Sequence, residues 1–172
     1  MADTLQQRVA RQIELAFGDT PYPTEPLVGS DGEAMATALH GQRWQEVSHD
    51  LLYKFRWDMF LLTPAGFRYF APAMMRAALL QHDQIGTVTD NLIFCLTPQS
   101  EEHINNYVAG EYNDYFSRRA AAFNPAEKMA ILTFLDTFAA TYPLCYLLYD
   151  IDLVGKTIEF TETTTHNTHR IG

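Results

Sequence analysis

Between Phe60 and Leu80 the chain reads FLLTPAGFRYFAPAMMRAALL. So dense a run of aromatic, aliphatic and proline residues belongs in the interior of a fold, and it carries no catalytic constellation. Its punctuation is informative. Thr63 can accept from an orphan backbone N–H at a helix start, and Pro64 fits the first helical position because it has no N–H to leave unpaired. A short helical turn follows, and the reading places an interruption at Pro72, which opens a further helix to Gln81.

The flanking segments also read as helices. Leu5, Val9, Ile13 and Phe17 recur every four residues, one apolar stripe over 3–17, with Asp3 or Thr4 as cap and Gly18 beyond the end. The stretch DTPYPTEP is extended or turning, and residues 29–32 (GSDG) are a turn. Glu33 to His40 is a short helix closed by Gly41. Ser48 caps a helix whose inward residues are Leu51, Leu52, Phe55 and Met59. Residues 82–91 (HDQIGTVTDN) read as a loop. Asn124, Pro125 and Glu127 give the clearest start in the chain, a capping box in which glutamate reaches back to the cap's own N–H. From there Met129, Leu132, Phe134 or Leu135, and Phe138 bury one face up to Tyr142-Pro143. The expected architecture is a single domain over 1–172, mainly α and bundle-like. A short β element is expected after residue 150, where Gly155 divides residues of strand-forming type. Residues 164–172 read as a frayed tail.

At 172 residues the chain can bury about 70% of its unfolded surface. The two cysteines, Cys95 and Cys145, sit in apolar runs and read as buried free thiols rather than a disulfide. The start is amphipathic, unlike a secretory signal. No apolar run approaches the roughly 20 residues of a membrane span. A cytoplasmic protein is therefore expected. The net charge of −9 is uneven: residues 1–80 carry 7 basic and 9 acidic side chains, residues 81–172 carry 5 and 12. Such acidity disfavours nucleic acid and anionic membrane and favours a basic protein as partner, although it also simply maintains solubility.

Chemistry is harder to find. His166 and His169 form the only close histidine pair, without a third ligand nearby, so no metal site or cofactor is expected. Neither cysteine has a polar neighbour in sequence, and Ser48-His49 reads as a cap, so no nucleophile is assigned. Most paired carboxylates read as a solvated face. Asp150 and Asp152 differ, because they flank Ile151 in YDIDLV and would share one face of an extended chain. Ion pairs to Arg118 or Arg119 would equally account for them. The segment 99–122 is polar, acidic and rich in tyrosine. Glu101, Glu102, Glu111 and Asp114 alternate there with Tyr107, Tyr112 and Tyr115. Tyrosine offers contact area at low entropic cost, and carboxylates raise the association rate with a basic partner. Inward packing of these tyrosines as a satellite core is the alternative.

Four pieces in order carry a resemblance: IELAFGDTPYP (13–23), the helix around Trp44, FLLTPAGFRYFAPAMMRAAL (60–79) and FNPAEKMAILTFL (123–135). Together they resemble an uncharacterised bacterial domain-of-unknown-function family that pairs an LTPxxFxYF/YxP block with a later FxPxxxxAIxxFL helix. The resemblance covers most of 5–142. It departs at 99–122, which has the look of an insertion, and at 143–172, which has the look of an extension. It implies a mostly helical, cytoplasmic, bacterial protein and carries no activity, cofactor or catalytic residue with it.

The functional expectation is a small acidic binding protein of the immunity kind, a monomer or weak homodimer that occludes a basic toxin domain. Its candidate partner-binding residues are Glu101, Glu102, Tyr107, Glu111, Tyr112, Asp114, Tyr115, Asp150 and Asp152. The alternatives are an enzyme of unrecognised type using carboxylates such as Asp150 and Asp152, and a homo-oligomeric scaffold.

Overall fold

A computed structural model describes residues 2–96 and 116–143. It is mainly helical, in a bundle-like arrangement. The helices are α1 (Leu5–Phe17), α2 (Glu33–Leu39), α3 (His49–Lys54), α4 (Pro64–Cys95), α5 (116–122 of the described residues) and α6 (Pro125–Thr141). Two 3-10 turns, Trp44–Glu46 and Met59–Leu61, lie in the connections. Among the described residues the only β-type pairing is an isolated antiparallel bridge between Val28 and Leu62.

The helix starts follow the chemistry of the sequence. Thr4 caps α1 in a capping box with Gln7, Ser48 caps α3, Thr63 caps α4 ahead of Pro64, and Asn124 and Glu127 form the capping box of α6. Beyond α2, Gly41 adopts a φ of +69°, the left-handed conformation that glycine takes without a Cβ penalty.

α4 is the central element. α1 lies against it and against α6, and α3 and both 3-10 turns pack on it. The largest fully buried side chains include Phe17, Trp44, Phe67, Phe70, Phe134 and Phe138. The N-terminus of α4 is seated on the extended segment before α2. The Thr63 N–H donates to Leu27 O at 3.0 Å, and the Thr63 hydroxyl donates to Pro26 O at 2.7 Å. That seating is close enough that a Cβ on Gly66 would stand 2.2 Å from Leu27 O.

Four expectations are corrected. Pro72 does not divide two helices but lies inside α4. The hydrogen bond it forgoes is outweighed by burial of Phe70, Ala71, Ala73, Met74 and Met75 around it. Residues 82–91 are helical rather than a loop. The backbone leaves helical geometry at Gln81 and Ile85 and then continues to Cys95. Ile85, Val88, Thr89, Leu92 and Ile93 are buried there, a helical stripe that the Gly86 and Thr87 beside it obscure. Met129 is 63% exposed, whereas Glu127 and Lys128 are buried in its place. Leu5 is also exposed, so the buried stripe of α1 begins at Val9. The expected β element after residue 150 and the tail at 164–172 lie outside the described residues.

Candidate binding surface

α3 ends at Lys54, and the chain then turns twice before α4 begins. Leu52, Phe55 and Met59 face the core. Tyr53 at the end of α3 and Trp57 and Phe60 in the turns after it are instead exposed. Trp57 is 60% exposed, and Tyr53 and Phe60 are each 44% exposed. The Arg56 guanidinium lies 4.1 Å from the Tyr53 ring centroid and 5.8 Å from that of Trp57, so one cation bridges two aromatic faces. Its Nη1 also donates to Tyr53 O at 2.7 Å.

The backbone under this patch is held from two distant places. Asn91 on α4 donates from Nδ2 to Arg56 O. Arg119 on α5 donates from Nη2 to Phe60 O at 2.6 Å and to Leu62 O at 3.2 Å. Arg119 is itself buried, with its guanidinium 5.0 Å from the Phe67 ring centroid. Cys95 is buried beside it as a free thiol. Desolvation pushes the Cys95 thiol up from its ordinary range, and the charge and hydrogen bond of Arg119 pull partly against that.

A second polar cluster ties α6 to α4. The Glu127 carboxylate is fully buried and accepts from Arg68 Nε at 2.9 Å and Nη2 at 2.9 Å, a two-pronged charge-assisted pair. It also accepts from the Thr20 hydroxyl at 3.0 Å and from the Asn124 N–H at 2.9 Å. Every lone-pair direction of this carboxylate is used, which makes it a structural joint. The cleft of about 220 Å³ beside it, between Thr20–Glu25 and Ala65, therefore meets an Arg68 already neutralised. Among the described residues no group of three His, Cys, Asp or Glu side chains is placed to hold a metal ion.

The nine residues that the sequence singles out for partner binding, Glu101, Glu102, Tyr107, Glu111, Tyr112, Asp114, Tyr115, Asp150 and Asp152, lie outside the described residues. Of the two arginines considered for Asp150 and Asp152, Arg118 is exposed and Arg119 is engaged with the Phe60 and Leu62 carbonyls. The patch at Tyr53, Arg56, Trp57 and Phe60 was not among the sequence candidates. Its signal is present in YKFRWDMF as more large apolar residues than one short segment can turn toward the core.

The family of unknown function DUF6714 matches residues 6–156. The chain belongs to this family. The matched span takes in the LTPAGFRYFAP block, the FNPAEKMAILTFL helix and the patch between Tyr53 and Phe60. Neither a curated protein nor a solved structure matches the chain. No helix among the described residues of this DUF6714 member is long and apolar enough to cross a membrane.

Proposed function

We propose that this DUF6714 member is a protein-binding module, an immunity-type inhibitor that covers a basic toxin domain. The observation that carries the reading is the exposed Tyr53–Arg56–Trp57–Phe60 patch on a clamped backbone. Tryptophan, tyrosine and arginine dominate binding hot spots, because they bury large areas with few rotatable bonds. A backbone already held by Asn91 and Arg119 loses little entropy on docking. The net charge of −9 supplies the long-range attraction that selects a basic partner and accelerates encounter. The acidic residues Glu101, Glu102, Glu111 and Asp114, interleaved with Tyr107, Tyr112 and Tyr115, add to that attraction in this reading, as do Asp150 and Asp152. No cofactor or metal enters it, and a cytoplasmic site of action fits it.

The test is co-expression with the product of the adjacent open reading frame. The wild-type chain is expected to restore growth that the neighbour suppresses, and Trp57→Ala combined with Tyr53→Ala is expected to abolish protection while leaving the fold intact. Glu111→Lys with Asp114→Lys is expected to slow association at low salt. A neighbour that is harmless when expressed alone would refute the inhibitor reading. Protection undiminished in the Trp57/Tyr53 variant would refute the assigned surface.

A further inference from the structure

The first part of α4 is locked to its neighbours. Arg68 pairs with Glu127 of α6 at 2.9 Å, and Arg76 Nε lies 3.0 Å from Glu14 Oε1 of α1. The helix then bends through Gln81 (φ −142°, ψ 26°) and Ile85 (φ −129°, ψ 21°) before it resumes and runs to Cys95. Pro72 lies well upstream of this bend and does not cause it. His82 occupies the joint. Its ring centroid is 4.3 Å from that of Tyr142 and 5.4 Å from that of Phe138, both near the end of α6. Its Nδ1 is 3.3 Å from Oγ1 of Thr89, which is fully buried. Two residues further on, Asn91 Nδ2 donates to Arg56 O beneath the aromatic patch.

Residues seven apart in a straight α-helix are separated by about 10.5 Å along its axis. A histidine ring nitrogen and a threonine hydroxyl do not reach across that span, so the contact between His82 and Thr89 exists only because the helix bends between them. Contact and bend stand or fall together. We propose that His82 and Thr89 staple a hinge in α4, and that the arm beyond the hinge, residues 86–95, sets the state of the patch. With the staple closed, Asn91 is placed to hold the Arg56 carbonyl, and the Arg56 guanidinium lies against Tyr53 and Trp57. With the staple open, the arm straightens, Asn91 leaves Arg56 O, and the turns that carry Trp57 and Phe60 loosen. The end of α6 takes part, because Tyr142 and Phe138 hold the His82 ring. The hinge adds a control to the surface assigned above and rests on that assignment only for its use. The coupling is a property of the free chain, so its test is separate from the test of toxin protection.

The experiment follows amide hydrogen exchange of the ¹⁵N-labelled full chain by NMR. Thr89→Val keeps the buried shape and removes the hydroxyl, so it opens the staple without leaving a cavity. The amides of Asp58 and Leu61, which donate to Phe55 O and Asp58 O, report on the turns of the patch. They are expected to exchange about fivefold faster in Thr89→Val, the effect of one ordinary hydrogen bond. Asn91→Ala is expected to accelerate them equally. The double variant should exchange no faster at these amides than Asn91→Ala alone, because both changes act through one contact. Thr89→Ser keeps the hydroxyl and should match the wild-type rates. Should Thr89→Val fail to fold, Thr89→Ala makes the same comparison. The proposal is overturned if loss of the Thr89 hydroxyl leaves Asp58 and Leu61 unchanged, or if Thr89→Ser accelerates them as much. It is equally overturned if the two effects add in the double variant, since the coupling would then bypass Asn91.

Discussion

Arg119 Nη2 donates to the carbonyl oxygen of Phe60 at 2.6 Å, joining residues 59 apart in the chain. The same nitrogen reaches Leu62 O, so a single buried cation fixes the exit from the aromatic patch and the residue before the Thr63 cap. Arg119→Met keeps most of the apolar stem but leaves two carbonyls without this donor. Hydrogen bonds from charged donors contribute about 1.5–3 kcal/mol each, and they share one guanidinium here, so a loss of about 2–4 kcal/mol is expected. Urea denaturation measures it. A loss below about 0.5 kcal/mol, within the usual range of surface substitutions, would show that the carbonyls are satisfied without Arg119.

Glu127 and Arg68 offer a second test. Glu127→Ala removes an interior carboxylate that serves at once as the capping-box residue of α6 and as the partner of Arg68. Breaking a buried pair from one side costs about 3–5 kcal/mol, and the partial exposure of Arg68, at 30%, brings the expectation to about 2–4 kcal/mol. In a double-mutant cycle with Arg68→Met, the double variant should be more stable than the sum of the singles predicts. Strict additivity would mean the two side chains do not interact energetically.

Gly66→Ala probes the seat of α4. Alanine is normally the better helix residue, by about 1 kcal/mol. Here the new methyl would meet Leu27 O at 2.2 Å, a backbone atom that cannot rotate away. The expected sign is therefore destabilising, by about 1–3 kcal/mol as in other overpacked sites. A rise in melting temperature would show that the 26–28 segment is free to withdraw.

How far the sequence reveals this molecule depends on the range over which each signal acts. Caps are local, and Thr4, Ser48, Thr63 and Asn124 all cap the helices that their neighbours announce. The second half of α4 was illegible because Gly86, Thr87 and Asn91 argue against a helix one residue at a time. Only the spacing of Ile85, Val88, Leu92 and Ile93 argues for it, and burial decides the matter. Pro72 misled for the same reason, a local rule overridden by packing. Glu127 was legible as a cap but not as the mate of Arg68, and that second role is what draws it inward and leaves Met129 outside. The bonds from Arg119 to Phe60 O and Leu62 O could not be read from sequence, since main-chain oxygens are acceptors that any residue supplies.

Cys95 should be inert in the native state. Its burial raises the thiol above its ordinary range, so the reactive thiolate is scarce at neutral pH as well as shielded. In a Cys145→Ser background, modification by an aromatic disulfide reagent is expected to be slow in buffer and to proceed rapidly in denaturing urea. Arg119→Met should slow thiolate formation further while loosening the packing, so its native-state rate separates the two effects. Rapid labelling of the unmutated Cys95 without denaturant would contradict the buried placement.

Asp90, near the end of α4, supplies the pH test. Desolvation raises its carboxyl above the usual value, and attraction to His82 opposes that only in part. A carboxyl whose folded pKa exceeds its unfolded one favours the folded state below the unfolded pKa. That contribution fades as the pH rises through the folded pKa. At neutral pH the native state therefore bears the cost of a partly desolvated charge. Asp90→Asn keeps the shape and removes the charge, so its melting temperature should exceed that of the wild type at pH 7. Below about pH 3, where the carboxyl is protonated in the folded and unfolded states alike, the gap should close. Thermal melts of both proteins from acidic to neutral pH decide the sign. A variant less stable than the wild type at pH 7, with a gap that widens as the pH rises, would show that attraction to His82 outweighs desolvation at this position.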